Sequence, residues 1–132
     1  MLRHEAREEI LKALYRREFV GGGAEAHLGD GSSYQGQGDF ILDILEGTLD
    51  HLEEIDEMID RFASGWRLER LSPIDRNILR MGIYELLYYS DTPPEVVINE
   101  AVELSKTFGT DKSPSFVNGI LDKIWKDRSA TG

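Results

Sequence analysis

Residues 71–90 read LSPIDRNILRMGIYELLYYS and contain the signals that decide the fold. Ser72 is a favourable N-cap, Pro73 fits the first helical turn, and Asp75 follows the cap by three residues, as in a capping box. Apolar residues then recur around most of the helix circumference. The pattern predicts a helix that begins near Ser72, is buried on most of its sides and lies at the centre of the molecule.

The segments on both sides repeat these helical signals. Downstream, one helix begins near Pro93 and ends at a C-cap at Gly109, and the pair Ser113-Pro114 begins the last. Upstream, residues 4–19 and 39–62 have apolar spacings of three and four, with Asp39 as the expected N-cap and Gly47 as a point where the long segment bends or breaks. No strand alternation occurs. The sequence predicts an all-α fold, a compact bundle of six or seven helices.

Length and composition predict one soluble globular domain that spans residues 1–132. Hydrophobic residues make up 40% of the chain and charged residues 30%, and no apolar run approaches the roughly 20 residues of a transmembrane helix. The chain has no cysteine, which excludes disulfides and thiolate sites and favours a cytoplasmic protein. The three histidines have no metal-ligand spacing, so we expect no metal site.

Charge and glycine are each concentrated in one segment. The net charge of −10 argues against a generic nucleic-acid binder, but residues 39–62 alone have nine acidic side chains and one basic side chain, so a basic patch elsewhere stays open. Residues 20–38 contain seven of the thirteen glycines. We expect a flexible loop there, rather than a phosphate-binding loop, and expect deletion of about ten residues to change stability little.

No constellation of residues predicts catalysis. The carboxylates follow helix-surface spacing, and the polar residues among apolar neighbours (Glu85, Asn99, Glu100 and Asn118) are expected to form a structural network that bonds the helices together. Catalysis by this group is the less favoured alternative.

Four stretches in the C-terminal half make the interpretation specific: residues 75–80 (DRNILR), 84–86 (YEL), 98–106 (INEAVELSK) and 116–123 (FVNGILDK). In order and spacing they resemble the transcription antitermination factor NusB family. The resemblance implies two packed helical subdomains, no enzymatic activity and no cofactor. It also implies two partners: box A RNA of ribosomal operon leaders, and NusE, a protein of the small ribosomal subunit. The complex acts on RNA polymerase so that it reads through terminators. Some relatives dimerise, so a homodimer is a further option.

Two elements are candidates for RNA contacts, the first because of the resemblance and the second because of its residue types. On the first helix these are Arg3, Arg7 and Lys12, with His4 and Glu5 where relatives often have further arginines; we therefore expect weak RNA binding by the chain alone. The second element has the positive charge, backbone donors and aromatic ring that suit single-stranded RNA. It comprises Lys106, Gly109, Lys112, Ser113 and Phe116, of which Ser113 can also cap a helix and Phe116 can also belong to the core.

For NusE, the resemblance points to the start of the central helix and to the connector before it. Glu69, Asp75 and Arg76 are the expected contacts, in a charged rim that meets a basic partner. Asp75 can equally serve only the capping box. Two alternative functions stay open: an interaction-only NusB-like domain with weak or no RNA affinity, and a fragment of the front domain of a ribosomal RNA cytosine methyltransferase.

Overall fold

A computed structural model of the chain describes residues 1–23, 27, 28 and 34–131. In this part of the chain it has six α-helices and no strand, which confirms the all-α prediction. The elements are α1 (Arg3–Val20), α2 (Gly38–Asp50), α3 (Leu52–Phe62), a 3-10 turn (Leu68–Arg70), α4 (Pro73–Tyr88), α5 (Pro94–Phe108) and α6 (Ser113–Thr131). None of the described helices is both long enough and apolar enough to span a bilayer.

Helix α4 is the centre of the molecule, as its sequence predicts. It packs against all five other helices, with α5 and α6 together on one side and α1, α2 and α3 around the rest. Ile78, Leu79 and Ile83 are fully buried in this core. Gly82 brings α6 close, because a Cβ atom there would meet the Leu121 side chain at 3.3 Å.

The long acidic segment divides into two helices at His51, not at Gly47. Helix α2 ends there with the His51 N–H donating to the Gly47 carbonyl at 3.1 Å, and α3 begins at the next residue. Gly47 lies inside helix α2, so the glycine does not break the segment; it is there because of packing. A Cβ atom at Gly47 would overlap the Tyr84 ring, so glycine is what lets α4 pack closely against α2.

Tyr84 belongs to an aromatic stack that joins α4 to the junction of α2 and α3. The His51 ring lies parallel to the Tyr88 ring with centroids 4.2 Å apart, and Tyr84 stacks on Tyr88 at 5.5 Å. The Tyr88 hydroxyl donates to Glu54 Oε2 at 2.8 Å. Burial raises the pKa of both tyrosines, so both hydroxyls stay protonated at neutral pH.

The glycine-rich segment contributes to the core, which its composition did not predict. Tyr34 is buried, and Leu28 packs partly against the core. The His27 ring Nε2 lies 2.5 Å from the Gly21 carbonyl. The predicted flexibility of residues 24–26 and 29–33 concerns positions outside the described residues.

We expect Gly47→Ala to lower the free energy of unfolding by roughly 1–3 kcal/mol, because the new methyl group must displace the Tyr84 ring. Gly119→Ala is the matched control: Gly119 lies inside α6, and a Cβ atom there meets nothing within 4 Å. This control should stabilise the protein by up to about 1 kcal/mol through helix propensity. Urea unfolding measures both changes, and equal effects at the two positions would contradict the packing account.

Candidate nucleic-acid interface

A buried ion pair holds the N-terminal half of α1 against α4. Arg7 is only 3% exposed. Its Nε donates to Glu85 Oε1 at 3.0 Å and its Nη2 to Glu85 Oε2 at 2.5 Å, while Nη1 lies 3.6 Å from Glu100 Oε1. The expectation of an Arg7 side chain free to bind phosphate is therefore corrected. Its guanidinium points into the interior, where a bidentate carboxylate occupies it.

A second, largely buried group of charges holds the C-terminal half of α1. The Glu18 carboxylate accepts hydrogen bonds from Arg76, at 3.0 Å from Nε, and from the Asn77 amide. Arg80 Nη1 lies 3.6 Å from Glu18 Oε2, and Arg80 also forms a bidentate pair with Asp56 at 2.8 and 3.0 Å. This Glu18 cluster ties α1, α3 and α4 together with two carboxylates and two guanidinium groups.

The start of α1 places its other charges at the surface. The Arg3 guanidinium lies 3.9 Å above the Phe40 ring centroid, and its Nε donates to Gln37 Oε1 at 2.7 Å. Glu5 accepts a hydrogen bond from the Leu2 N–H at 2.7 Å. Glu5 thus satisfies an N-terminal donor of the helix.

Because the buried contacts fix the rotation of α1, a basic and aromatic edge of this helix faces solvent. Tyr15 and Phe19 are 38% and 63% exposed, and their ring centroids lie 4.8 Å apart. Lys12 and Arg16 flank them. Lys12 pairs weakly with Glu9 at 3.3 Å, and Arg16 donates to the His27 carbonyl at 3.0 Å.

This edge borders an open groove of about 330 Å³, which we call the α1 groove. The lining is apolar between its two cations, a combination that suits the face of a base beside a phosphate. The lining residues are Leu11, Lys12, Tyr15, Arg16, Ile74 and Phe108.

A second open groove of about 280 Å³ lies at the start of α4, and we call it the α4 groove. It combines an exposed tryptophan, a phenylalanine, two cations and one carboxylate. The lining residues are Trp66, Arg70, Leu71, Ser72, Asp75, Lys112 and Phe116. The two grooves are neighbours, because the adjacent residues Ile74 and Asp75 line one groove each.

Asp75 lines the α4 groove from the first turn of α4. Its backbone N–H donates to the Ser72 hydroxyl at 3.1 Å, which is the capping bond predicted from the sequence. The side chain does not complete a capping box: in the described part of the chain, Asp75 Oδ1 is buried without a hydrogen-bond partner. An unsatisfied buried acceptor is uncommon, and because this oxygen is inaccessible to solvent, a donor from outside the chain reaches it only after the Asp75 side chain rotates.

The loop between α5 and α6 is built differently from the expected donor loop. Ser113 is 1% exposed, and its hydroxyl accepts from the Thr110 N–H at 3.0 Å, so the expectation that Ser113 binds phosphate is corrected. Gly109 is required by packing, since a Cβ atom would lie 2.5 Å from that hydroxyl. Lys112 is exposed, and Phe116 both packs on the core and lines the α4 groove.

The remaining predicted site residues, which are Lys106, Glu69 and Arg76, have different surroundings. Lys106 is exposed and pairs with Glu103 at 3.3 Å, outside the lining of both grooves. Glu69 is exposed beside Arg67 at 3.2 Å. The expectation that Arg76 contacts NusE directly is corrected, because its side chain is only 12% exposed and its guanidinium binds Glu18.

Two of the four residues predicted to form a polar network between helices do so. Glu85 and Glu100 do meet across helices, through Arg7. Asn99 and Asn118 are both exposed and lie outside this network, which corrects that expectation. No group of three or more histidine, cysteine, aspartate or glutamate side chains that could hold a metal occurs in residues 1–23, 27, 28 and 34–131.

Sequence reasoning missed Tyr15, Phe19 and Trp66 as candidate site residues. The signal was available on α1, where two aromatic residues four positions apart alternate with basic ones; this spacing places both rings on one side of a helix. For Trp66 there was no such signal, because the connector has no periodicity.

Comparison with known proteins gives concordant matches. The model of the NusB family matches residues 4–126. The Transcription antitermination protein NusB of a Nitratiruptor species is 45% identical over 129 residues, which cover 95% of this chain and 92% of that protein. The protein of the same name from Lysinibacillus sphaericus is 46% identical over 124 residues, covering 94% and 97%.

Two solved structures extend the similarity. T. maritima NusB superposes with a TM-score of 0.86 at 38% identity, with 96% of this chain and 92% of that one covered. The crystal structure of antitermination factors NusB and NusE in complex with double-stranded RNA includes a chain that matches with a TM-score of 0.77 at 28% identity, covering 96% and 99%.

We expect Arg7→Met to lower the free energy of unfolding by about 3 kcal/mol, because it leaves Glu85 charged and buried without its partner. The double variant Arg7→Met/Glu85→Leu should recover most of that loss, since two apolar side chains can replace a buried pair. Arg3→Met is the control one turn earlier, at an exposed position, and should change stability by less than about 1 kcal/mol. Urea unfolding followed by circular dichroism tests this. An unchanged free energy of unfolding in Arg7→Met would show that the pair does not anchor α1.

Proposed function

Because the chain belongs to the NusB family, we propose that it is an RNA-binding transcription antitermination factor and not an enzyme. In this proposal it binds box A RNA together with NusE and promotes read-through by RNA polymerase. The single observation that carries the proposal is the pair of adjoining grooves at the start of α4, one basic and aromatic, the other with an unsatisfied carboxylate.

The α1 groove is the proposed RNA site. Single-stranded RNA is bound by stacking of bases on aromatic rings and by cations that follow the backbone. Tyr15 and Phe19 offer exposed rings, and Lys12 and Arg16 lie on the same edge of α1. The net charge of −10 does not prevent this. At ordinary salt, the repulsion between RNA and acidic side chains more than about 10 Å away is screened, so the nearby cations determine the local attraction.

The α4 groove is the proposed meeting point of RNA and partner. A donor side chain of a basic partner would satisfy Asp75 Oδ1 once the Asp75 side chain rotates toward the groove, and exposed Glu69 adds negative charge on the connector. Lys112 lies in the same groove, in position for a phosphate of an RNA strand that leaves the α1 groove. A partner that itself contacts RNA would then raise the apparent affinity through linked binding.

The RNA assignment predicts that Tyr15→Ala weakens the binding of labelled box A RNA by about tenfold or more, the usual cost of losing one base stack. Tyr15→Phe retains the ring and should bind within about twofold of the wild type. Fluorescence anisotropy at one fixed salt concentration measures both. Equal affinities for Tyr15→Ala and the wild type would rule out the α1 groove as the RNA site.

The partner assignment predicts that Asp75→Asn spares RNA binding by the chain alone and reduces the gain in RNA affinity on addition of NusE by about tenfold, the effect of one charge-assisted hydrogen bond. Asp91→Asn is the matched control, an exposed aspartate beyond the opposite end of α4. If NusE adds no affinity even with the wild-type chain, the proposed joint function is wrong.

A further inference from the structure

The connector between α3 and α4 depends on contacts from outside itself. It leaves α3 through Ser64 and Gly65, both with positive φ, and has only the short 3-10 turn as regular structure. Trp66 is 57% exposed and packs little against the core. Leu68 and Leu71 anchor the connector in the core, and the wall that Trp66 and Arg70 form in the α4 groove depends in addition on side chains that bond to the connector backbone.

Two side chains reach the connector backbone: the Asp60 carboxylate accepts from the Leu68 N–H at 2.7 Å, and Arg76 donates to two connector carbonyls. Arg76 Nη1 donates to the Leu68 carbonyl at 3.2 Å and to the Leu71 carbonyl at 2.9 Å, at both sides of the 3-10 turn. Its Nε and Nη2 bind the Glu18 carboxylate of α1. A planar guanidinium thus joins α1, α4 and the connector, which a lysine ammonium cannot do with the same geometry.

We propose that Arg76 is a positioning residue for the α4 groove: it fixes residues 66–71 in place and makes no direct contact with the partner. That the groove binds NusE rests on the proposed function, but the positioning itself does not. Since the other end of the guanidinium is held by Glu18, the position of the groove wall depends on the same α1 helix that provides the RNA groove.

Arg80 provides the matched control on the same helix. It belongs to the same Glu18 cluster and is similarly buried, but its hydrogen bonds go to Asp56 and Asn77 and not to the connector. Arg76→Lys and Arg80→Lys should therefore both destabilise the protein, while only Arg76→Lys should loosen the connector.

Hydrogen exchange of the backbone amides, read by mass spectrometry on the chain without RNA or partner, tests this directly. The Arg70 and Leu71 amides donate within the connector at 2.9 and 3.1 Å and report on its order. We expect Arg76→Lys to speed their exchange by about tenfold relative to the wild type, as loss of the two carbonyl bonds implies. In Arg80→Lys they should exchange within about twofold of the wild type.

Unchanged exchange in the connector of Arg76→Lys, or equal loosening in Arg80→Lys, would overturn the proposal. If Arg76→Lys does not fold, Glu18→Gln serves instead: it weakens the other anchor of Arg76 and should produce a smaller increase at the same two amides. A separate experiment measures the affinity of each variant for box A RNA with and without NusE. Arg76→Lys should lose most of the gain from NusE with little change in RNA binding alone, and an absent gain in the wild type would count only against the proposed function.

Discussion

The burial of the Glu18 carboxylate between α1 and α4 is the contact on which the rest of the structure depends. A charge removed from water is tolerated only when it is well paired, and Glu18 meets two guanidinium groups and one amide. Together with the Arg7–Glu85 pair nearer the start of α1, it fixes both the rotation and the axial position of this helix. Apolar packing alone, being non-directional, specifies neither as strictly.

This fixed rotation determines which residues are free to bind. Arg7 and Glu18 at the two anchored positions face inward, and the edge with Lys12, Tyr15 and Arg16 faces solvent. The same cluster reaches the connector through Arg76, so one buried charge network supports both grooves. The anchoring residues Arg7 and Glu18 therefore flank the exposed cations Lys12 and Arg16 on the same helix.

The sequence predicted the helices well because their signals are local. Caps and apolar spacing located α4, α5 and α6, and the centrality of α4 followed from its nearly continuous apolar surface. The break at His51 was missed because Gly47 is the stronger local signal; glycine is there for the Tyr84 ring on another helix.

The surroundings of the candidate site residues were predicted less well, because buried and exposed arginines look alike in a sequence. Arg7 pairs with a residue 78 positions away, and Arg76 with one 58 positions away, so neither pair has a local signature. Conversely, Asn99 and Asn118 have apolar neighbours in sequence but lie on the outer faces of their helices. What decides each case is the three-dimensional neighbour, which spacing along the chain does not give.

The salt dependence of RNA binding tests the central claim most directly, namely that the anchoring charges of α1 are structural and its outer edge binds RNA. Replacing Lys12 and Arg16 together by alanine should flatten the slope of log K against log salt by about 0.7 for each lost phosphate contact. Arg7→Met/Glu85→Leu, which removes the buried pair, should leave that slope unchanged. A flattened slope in the Arg7→Met/Glu85→Leu variant, with none in the Lys12 and Arg16 variant, would contradict the account.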